Sequence, residues 1–174
     1  PMVAIIAPQR LHLRPLKLAD SPAIFAIMRD PEVMRFWDWP QFSDADAVAD
    51  IVAAQIADME AGNSVYWAVC LDGKTIASCD LSEIDRHHKR AEIGFIFAHE
   101  SWGNGYALEA MKAIAGSGLS PLGLARFWAR IHEGNEASRR LLTKLGFSYE
   151  GMLRGHVVRD GARRDCLIYG LLRD

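Results

Sequence analysis

The chain has few cysteines and no pattern among them. Cys70, Cys79 and Cys166 are an odd number with no C-x-x-C pair, which argues against both a disulfide framework and a thiolate zinc site. Two lie in apolar runs that look like strands, so the expectation is buried thiols in a reducing compartment. No run of eighteen apolar residues is present, and no basic stretch leads into a long apolar segment at the start of the sequence. The expected location is therefore the cytoplasm, with no membrane partner. Basic excess is also lacking: the net charge is −2 and the pI near 6.3, which leaves no global positive field to attract nucleic acid. An anionic ligand would have to be held by local features. His87-His88 has no third ligand at metal spacing, so no metal is expected. Repeats, low-complexity tracts and Gly/Ser/Pro-rich linkers are missing too, so residues 1–174 read as a single domain.

What is present is a regular alternation of strand and helix signals. Arg10 to Leu16 reads as a first strand. Asp20 or Ser21 caps a helix through Met28 that stops at Asp30-Pro31. An aromatic loop, Phe36-Trp37-Asp38-Trp39-Pro40, precedes an Ala-rich helix capped by Ser43 or Asp44 and running to Gly62. Val65 to Leu71 and Thr75 to Ile84 are strands joined by the Asp72-Gly73 turn, and Ala91 to Ala98 is a third. Tyr106 to about Ser117 reads as a helix, Ala125 to His132 as a strand and Glu136 to Leu145 as a helix; a final hairpin turns at Asp160-Gly161. The order β-α-α-β-β-β-α-β-α-β-β predicts an α/β protein with a mixed sheet of about seven strands and helices on both faces.

Between the Ala91–Ala98 strand and the next helix lies Trp102-Gly103-Asn104-Gly105-Tyr106-Ala107. Its glycines allow positive φ, so consecutive N–H groups can turn toward one point, and the helix start adds free amides and about half a positive charge. Together these suit a pyrophosphate. A dinucleotide fingerprint would need a third glycine at Leu108, and a P-loop would need Lys-Ser or Lys-Thr; neither is found. From the glycines alone, the loop is equally a tight strand-to-helix turn.

The wider sequence resembles the GNAT superfamily of acetyl-coenzyme A dependent N-acyltransferases over nearly its whole length. The resemblance rests on Gly105 and Ala107 at the positions of the core motif, with Trp102 at its Gln/Arg position, a departure from the superfamily pattern that looks like the branch that acetylates ribosomal-protein N-termini. That branch is similar in other places too: Leu11-His12-Leu13-Arg14-Pro15-Leu16, Ala91-Glu92-Ile93-Gly94-Phe95, Glu109-Ala110, Asn135-Glu136-Ala137-Ser138, Lys144-Leu145-Gly146-Phe147, Glu150-Gly151 and Asp165 with Tyr169. The resemblance implies a GNAT-like fold with acetyl-CoA as co-substrate. Main-chain groups of Phe95 and Phe97 would pair with the pantetheine arm, and amides from Trp102 through Gly103, Asn104, Gly105 and Tyr106 to Ala107 would hold the pyrophosphate. Asn135 and Ser138 would line the other wall. For Asn135 the bland alternative is a helix cap.

Transfer needs a neutral amine. An α-amino group, with a pKa of roughly 8, is neutral in about a tenth of molecules at pH 7, whereas a lysine amine near 10.4 is neutral in fewer than about one in a thousand. A carboxylate acting through water suffices for the former. Glu92 is the first candidate base, with Glu83 and Glu150 as alternatives. A superfamily tyrosine seven residues after Asn135 would protonate the leaving thiolate; here that position is Leu142, and Ser138 resembles the replacement. Trp37 and Trp39 are candidate acceptor contacts, with core packing as the competing role. The expected reaction is acetyl transfer to a primary amine, most plausibly a protein N-terminus. The alternatives are a polyamine or aminoglycoside acceptor, or a non-catalytic acetyl-CoA sensor. The chain is expected as a monomer or homodimer.

Overall fold

The computed structural model describes residues 5–116 and 122–173. Seven strands and four helices follow the order read from the sequence: β1 (His12–Pro15), α1 (Ser21–Met28), α2 (Ala45–Glu60), β2 (Val65–Leu71), β3 (Lys74–Asp85), β4 (Arg90–Phe97), α3 (Tyr106–Gly116), β5 (Arg126–His132), α4 (Glu136–Lys144), β6 (Ser148–Arg159) and β7 (Ala162–Leu172). Short 3-10 turns at Leu18–Asp20, Val33–Phe36 and His99–Ser101 punctuate them. The predicted end of the third helix at Ser117 lies outside the described residues.

One mixed sheet runs β1-β2-β3-β4-β5-β7-β6, and every neighbouring pair is antiparallel except β4 with β5. The parallel pair is made by the crossover through α3. Strand periodicity then sorts side chains onto two faces. On one face Trp67, Leu81, Ile93, Phe97 and Phe127 pack with Ala110, Met111 and Ile114 of α3 and Leu142 of α4. On the other, Ala68, Cys70 and Ile96 pack with Ile24 and Ile27 of α1 and Val48 and Val52 of α2. Each such large apolar side chain, fully buried, contributes roughly 1.5–3 kcal/mol. All three cysteines are buried free thiols.

Caps fix the helix starts. Asp44 is the residue that caps α2, its carboxylate accepting from Asp46 N at 2.9 Å. The first strand is shorter than its sequence pattern, and the reason is polar. The amides of Arg10 and Leu11 donate to the Glu109 carboxylate at 2.8 and 3.1 Å instead of joining the ladder. The aromatic loop Phe36–Pro40 leaves a 3-10 turn at Val33–Phe36, in which Val33 and Met34 are buried, and is irregular from Trp37 onward.

Candidate active site

Strands β4 and β5 pair only through Arg90 with Arg126, Ala91 with Phe127 and Glu92 with Trp128. Beyond Glu92 the two parallel strands separate, so among the described residues the β5-facing edge of β4 from Ile93 to Phe97 has no ladder partner. Phe95 and Phe97 send their side chains into the core on the α3/α4 face. Apart from the Phe97 carbonyl, which the Trp102 side chain engages, that backbone edge has no strand beside it among the described residues and is open to a strand-like ligand. A groove of about 540 Å³ opens there; Phe95, Ile96, Phe97, Asn135 and Ser138 are in its wall, as is the turn that follows β4.

That turn is braced by its own side chains. Trp102 Nε1 donates to the Phe97 carbonyl at 3.0 Å, and the His99 ring lies 4.4 Å from the Trp102 ring. Asn104 Nδ2 donates to the carbonyls of Ser101 and Trp102 at 2.9 and 3.1 Å. Its amide group is thus engaged within the loop. Gly103 and Gly105 take φ of 79° and 76°, a region in which a side chain would be strained. The groove is lined by Trp102, Gly103, Gly105, Tyr106 and Ala107, where α3 begins.

The only acidic side chain in the first turn of α3, Glu109, is turned toward β1. It accepts from Arg10 N, Arg10 Nε and Leu11 N, and these bonds outweigh burial and hold its carboxyl below the usual range. Arg10 in turn stacks 4.6 Å from the Tyr106 ring centroid and comes close to Gly105. The helix start therefore presents amides and a guanidinium, with its carboxylate neutralised. Arg35, Arg140 and Lys144 add positive charge along the groove. An elongated anion fits this donor set.

Across the groove, Asn135 Oδ1 accepts from Ser138 N at 3.2 Å, so Asn135 caps α4 and also lines the groove. Leu142, at the position where the superfamily carries tyrosine, is fully buried in the core.

The opposite face of the sheet carries the ionisable groups. Cross-strand register aligns Tyr66, Asp80 and Gly94 in one row, and Ser82, Glu92 and Trp128 in the next. Burial raises Glu92 above the usual carboxylate range; Arg130 opposes this, while Glu83 and Asp38 add to it. Burial, and then Glu92, push Asp80 up to about 7. Tyr66 rises to about 12, mainly by burial and then by Asp80. A hollow of about 1050 Å³ on this face is lined by Asp58, Tyr66, Ser82, Glu83, Arg126 and Trp128, among others. Glu150, a candidate base in the sequence, is instead clamped to Arg126 at 2.6 and 2.8 Å, and its carboxyl is lowered by that bond.

The aromatic segment closes the site from the α1/α2 side. Asp38 receives Arg130 and His132 of β5, while Arg159 Nη1 of β6 donates to the carbonyls of Met34 and Trp37, both at 2.8 Å. Trp37 and Phe36 thereby line the groove, whereas Trp39 is 63% exposed and lies outside its lining. Asp38, Asp80, Arg130 and Arg159 were not singled out from the sequence. The available signal was Asp80 itself, one charge in the middle of the small and apolar run Ala77-Ser78-Cys79-Asp80-Leu81. Among the described residues no cluster suits a metal ion, and no helix is long and apolar enough to cross a membrane.

Known proteins resemble this chain in sequence or in architecture. The family described as Acetyltransferase (GNAT) domain matches residues 10–148. An uncharacterized N-acetyltransferase, YoaA of Bacillus subtilis, is 32% identical over 174 residues, spanning 99% of this chain and 98% of its own. The spermidine N(1)-acetyltransferase of Escherichia coli is 29% identical, spanning 90% of this chain and 83% of its own. Among solved structures, RimL, the ribosomal L7/L12 alpha-N-protein acetyltransferase in complex with coenzyme A, matches with a TM-score of 0.90 at 19% identity, over 98% of this chain and 99% of its own.

Proposed function

Because the chain belongs to the GNAT acetyltransferase family, we propose that it acetylates the α-amino group of a protein or peptide N-terminus. The protein is an N-acetyltransferase, an acyltransferase for which acetyl-CoA fits as co-substrate. When bound, acetyl-CoA supplies an activated acyl carbonyl. In this reading the amides from Trp102 to Ala107 and the Arg10 guanidinium hold the pyrophosphate, and the unladdered backbone edge at Phe95 and Phe97 takes the pantetheine arm, with the Phe97 carbonyl kept by Trp102 Nε1. Asn135 and Ser138 form the facing wall, and Ser138 Oγ gives a hydrogen bond to the departing sulfur.

The observation that carries the choice of acceptor is the character of the base. Glu92 stands beside the splayed strands with its affinity for protons raised by burial, yet it remains a carboxyl group. Such a base matches an α-amine of pKa roughly 8 far better than an alkyl amine above about 10. Trp37 and Phe36, held by Asp38 and Arg159, give the acceptor end of the groove an aromatic wall suited to a first side chain.

A polyamine is the second reading. It is supported by Asp58, Glu83 and Asp85 around the hollow beside Glu92, and by the 29% identity to a spermidine N(1)-acetyltransferase. One screen separates the two. The protein is incubated with acetyl-CoA and a panel of peptides of varied N-terminal residue, polyamines and aminoglycosides, and acetylated products are read by mass. Acetylation of peptide α-amines with polyamines unmodified is expected. Preferential acetylation of spermidine or spermine would replace the first reading by the second.

A further inference from the structure

The mechanism above uses one carboxylate, but the sheet places a second beside it. Asp80 stands on β3 directly opposite Gly94 of β4, and Glu92 is two residues along β4 on the same face, the diagonal neighbour across the ladder. The absence of a side chain at Gly94 lets the Asp80 carboxylate lie over β4: a methyl group there would come within 2.6 Å of Asp80 Oδ1. Gly94 lies just beyond Glu92, in the stretch of β4 from which β5 has parted. The carboxylate thus lies over the backbone that borders the groove. We propose that Asp80 and Glu92 act as one proton-accepting unit, serving an acceptor ammonium that reaches the sheet through the hollow beside Ser82 and Trp128. This proposal rests on the amine-acceptor reading above.

The surroundings support a unit of two. Tyr66 faces Asp80 from β2, Arg130 and Asp38 face Glu92 from β5 and the aromatic segment, Glu83 lies on β3, and Asp58 of α2 faces Tyr66. Arg130 is committed to Asp38, which it meets through two nitrogens at 3.2 and 2.8 Å. Two carboxylates therefore share a partly dehydrated space with no cation of their own in the described hydrogen-bond set. Burial first and the Glu92 charge second favour the protonated form of Asp80, and the pair holds a proton until the medium approaches neutrality. An arriving ammonium supplies the missing positive charge and favours the doubly ionised form.

The proton balance follows. An ammonium loses two protons on becoming an amide. The first N–H bond breaks with its electron pair left on nitrogen, and the proton goes to the doubly ionised Asp80–Glu92 pair. Nitrogen then bonds to the acyl carbon as the carbon–sulfur bond breaks. The second proton ends on the sulfur, and the pair returns its own to water in the hollow.

The test is a titration of the full chain carrying ¹³C-labelled aspartate and glutamate carboxyls, followed by NMR, for the wild type, Asp80→Asn and Glu92→Gln. One carboxyl is expected to titrate near neutrality in the wild type and to be missing in Asp80→Asn. In Glu92→Gln the Asp80 midpoint should fall by at least about one pH unit once the like charge is gone. In parallel, the acid limb of kcat/KM for the best amine of the screen should move down by at least about one unit in Asp80→Asn, where a merely structural role would lower the rate equally at every pH. Asp80 titrating below pH 5, or an acid limb that does not move, overturns the proposal. If no amine is acetylated, the acceptor reading falls, while the carboxyl titration still decides whether the pair exists. Gly94→Ala, which pushes Asp80 off β4, should reproduce the lowered midpoint in a chain that retains both carboxyls.

Discussion

Asp38 and Arg130 meet through two hydrogen bonds, at 3.2 and 2.8 Å, with His132 Nε2 donating to the same carboxylate at 2.7 Å. This contact spans 92 residues of sequence and pins the aromatic segment to β5. Burial works against the charged form of Asp38, but the bonds from Arg130 and His132 outweigh it, and its carboxyl is held below the usual range.

Asp38→Ala should therefore cost about 1–3 kcal/mol, less than a fully buried pair would because both partners are partly exposed. The released segment should raise the KM for the acceptor by about tenfold while leaving coenzyme A affinity within about threefold. Urea unfolding and steady-state kinetics check the two parts separately. A change in coenzyme A affinity larger than that in acceptor KM would show that the segment serves the donor instead.

Gly105→Ala tests the turn after β4. With φ at 76°, an alanine there costs roughly 1–2 kcal/mol in backbone strain, or moves the amides that face the groove. Calorimetry should find coenzyme A binding weakened by at least about tenfold with the far-ultraviolet spectrum unchanged. Binding at wild-type strength would mean that the Gly105 conformation is unimportant to the ligand.

Glu109→Ala removes the acceptor of three N–H groups that tie β1 to α3. Each such bond to a charged group is worth about 1.5–3 kcal/mol at most, and the exposed part of this set less. Arg10 would lose its tether beside Gly105. The expected outcome is a lowered melting temperature together with a several-fold weaker coenzyme A complex, both read in one thermal-shift titration with coenzyme A.

The contribution of Asp80 to stability should fall as the medium becomes less acid. Asp80 has a folded pKa of about 7, above the ordinary carboxylate value, so between about pH 4 and 7 the folded chain holds a proton that the unfolded chain has lost. The Asp80 contribution to the unfolding free energy then decreases with rising pH through that window and levels off above it. The full linkage would be about 4 kcal/mol, and the partial exposure of Asp80 reduces it. Asp80→Asn should flatten the profile and be the more stable protein at pH 8. Parallel urea profiles at pH 4, 6 and 8 decide this, and equal slopes for both proteins would remove Asp80 as their cause.

Ser138→Ala should lower turnover at saturating acetyl-CoA by about tenfold to a hundredfold, with little effect on the acetyl-CoA KM. Its backbone N–H already serves the Asn135 cap, and alanine retains that bond. An unchanged turnover would leave Ser138 with only its place in the first turn of α4.

Local signals carried the architecture well. The Asp72-Gly73 and Asp160-Gly161 turns, the Asp44 cap and the alternation along β4 each depend on a few adjacent residues, and the order of elements follows from them. The Trp102–Ala107 turn was legible for the same reason. Groups brought together by register were not. Asp80 acquires meaning only because β3 sets it opposite Gly94, and Asp38 only because the chain returns 92 residues later with Arg130. The shortened β1 is a similar case, since Glu109 competes for its amides from 99 residues away. Trp37 and Trp39 look equivalent in sequence, yet the bonds that Arg159 makes to the backbone leave one on the groove and the other in solvent.

The Arg159 guanidinium, seated on the carbonyls of Met34 and Trp37, gives the two ends of the groove separate ancestry in the chain. In the proposed reading the cradle after β4 serves the donor, while the rim is an early turn clasped by a late hairpin. Neither Arg159 nor the carbonyls it grips belongs to the turn after β4. Paired changes in the Val33–Trp37 turn and the β6–β7 hairpin can therefore remodel the rim while the donor cradle stays intact. An engineer seeking a new acceptor would diversify those two segments jointly, since altering one alone breaks the clasp before it changes the choice of amine.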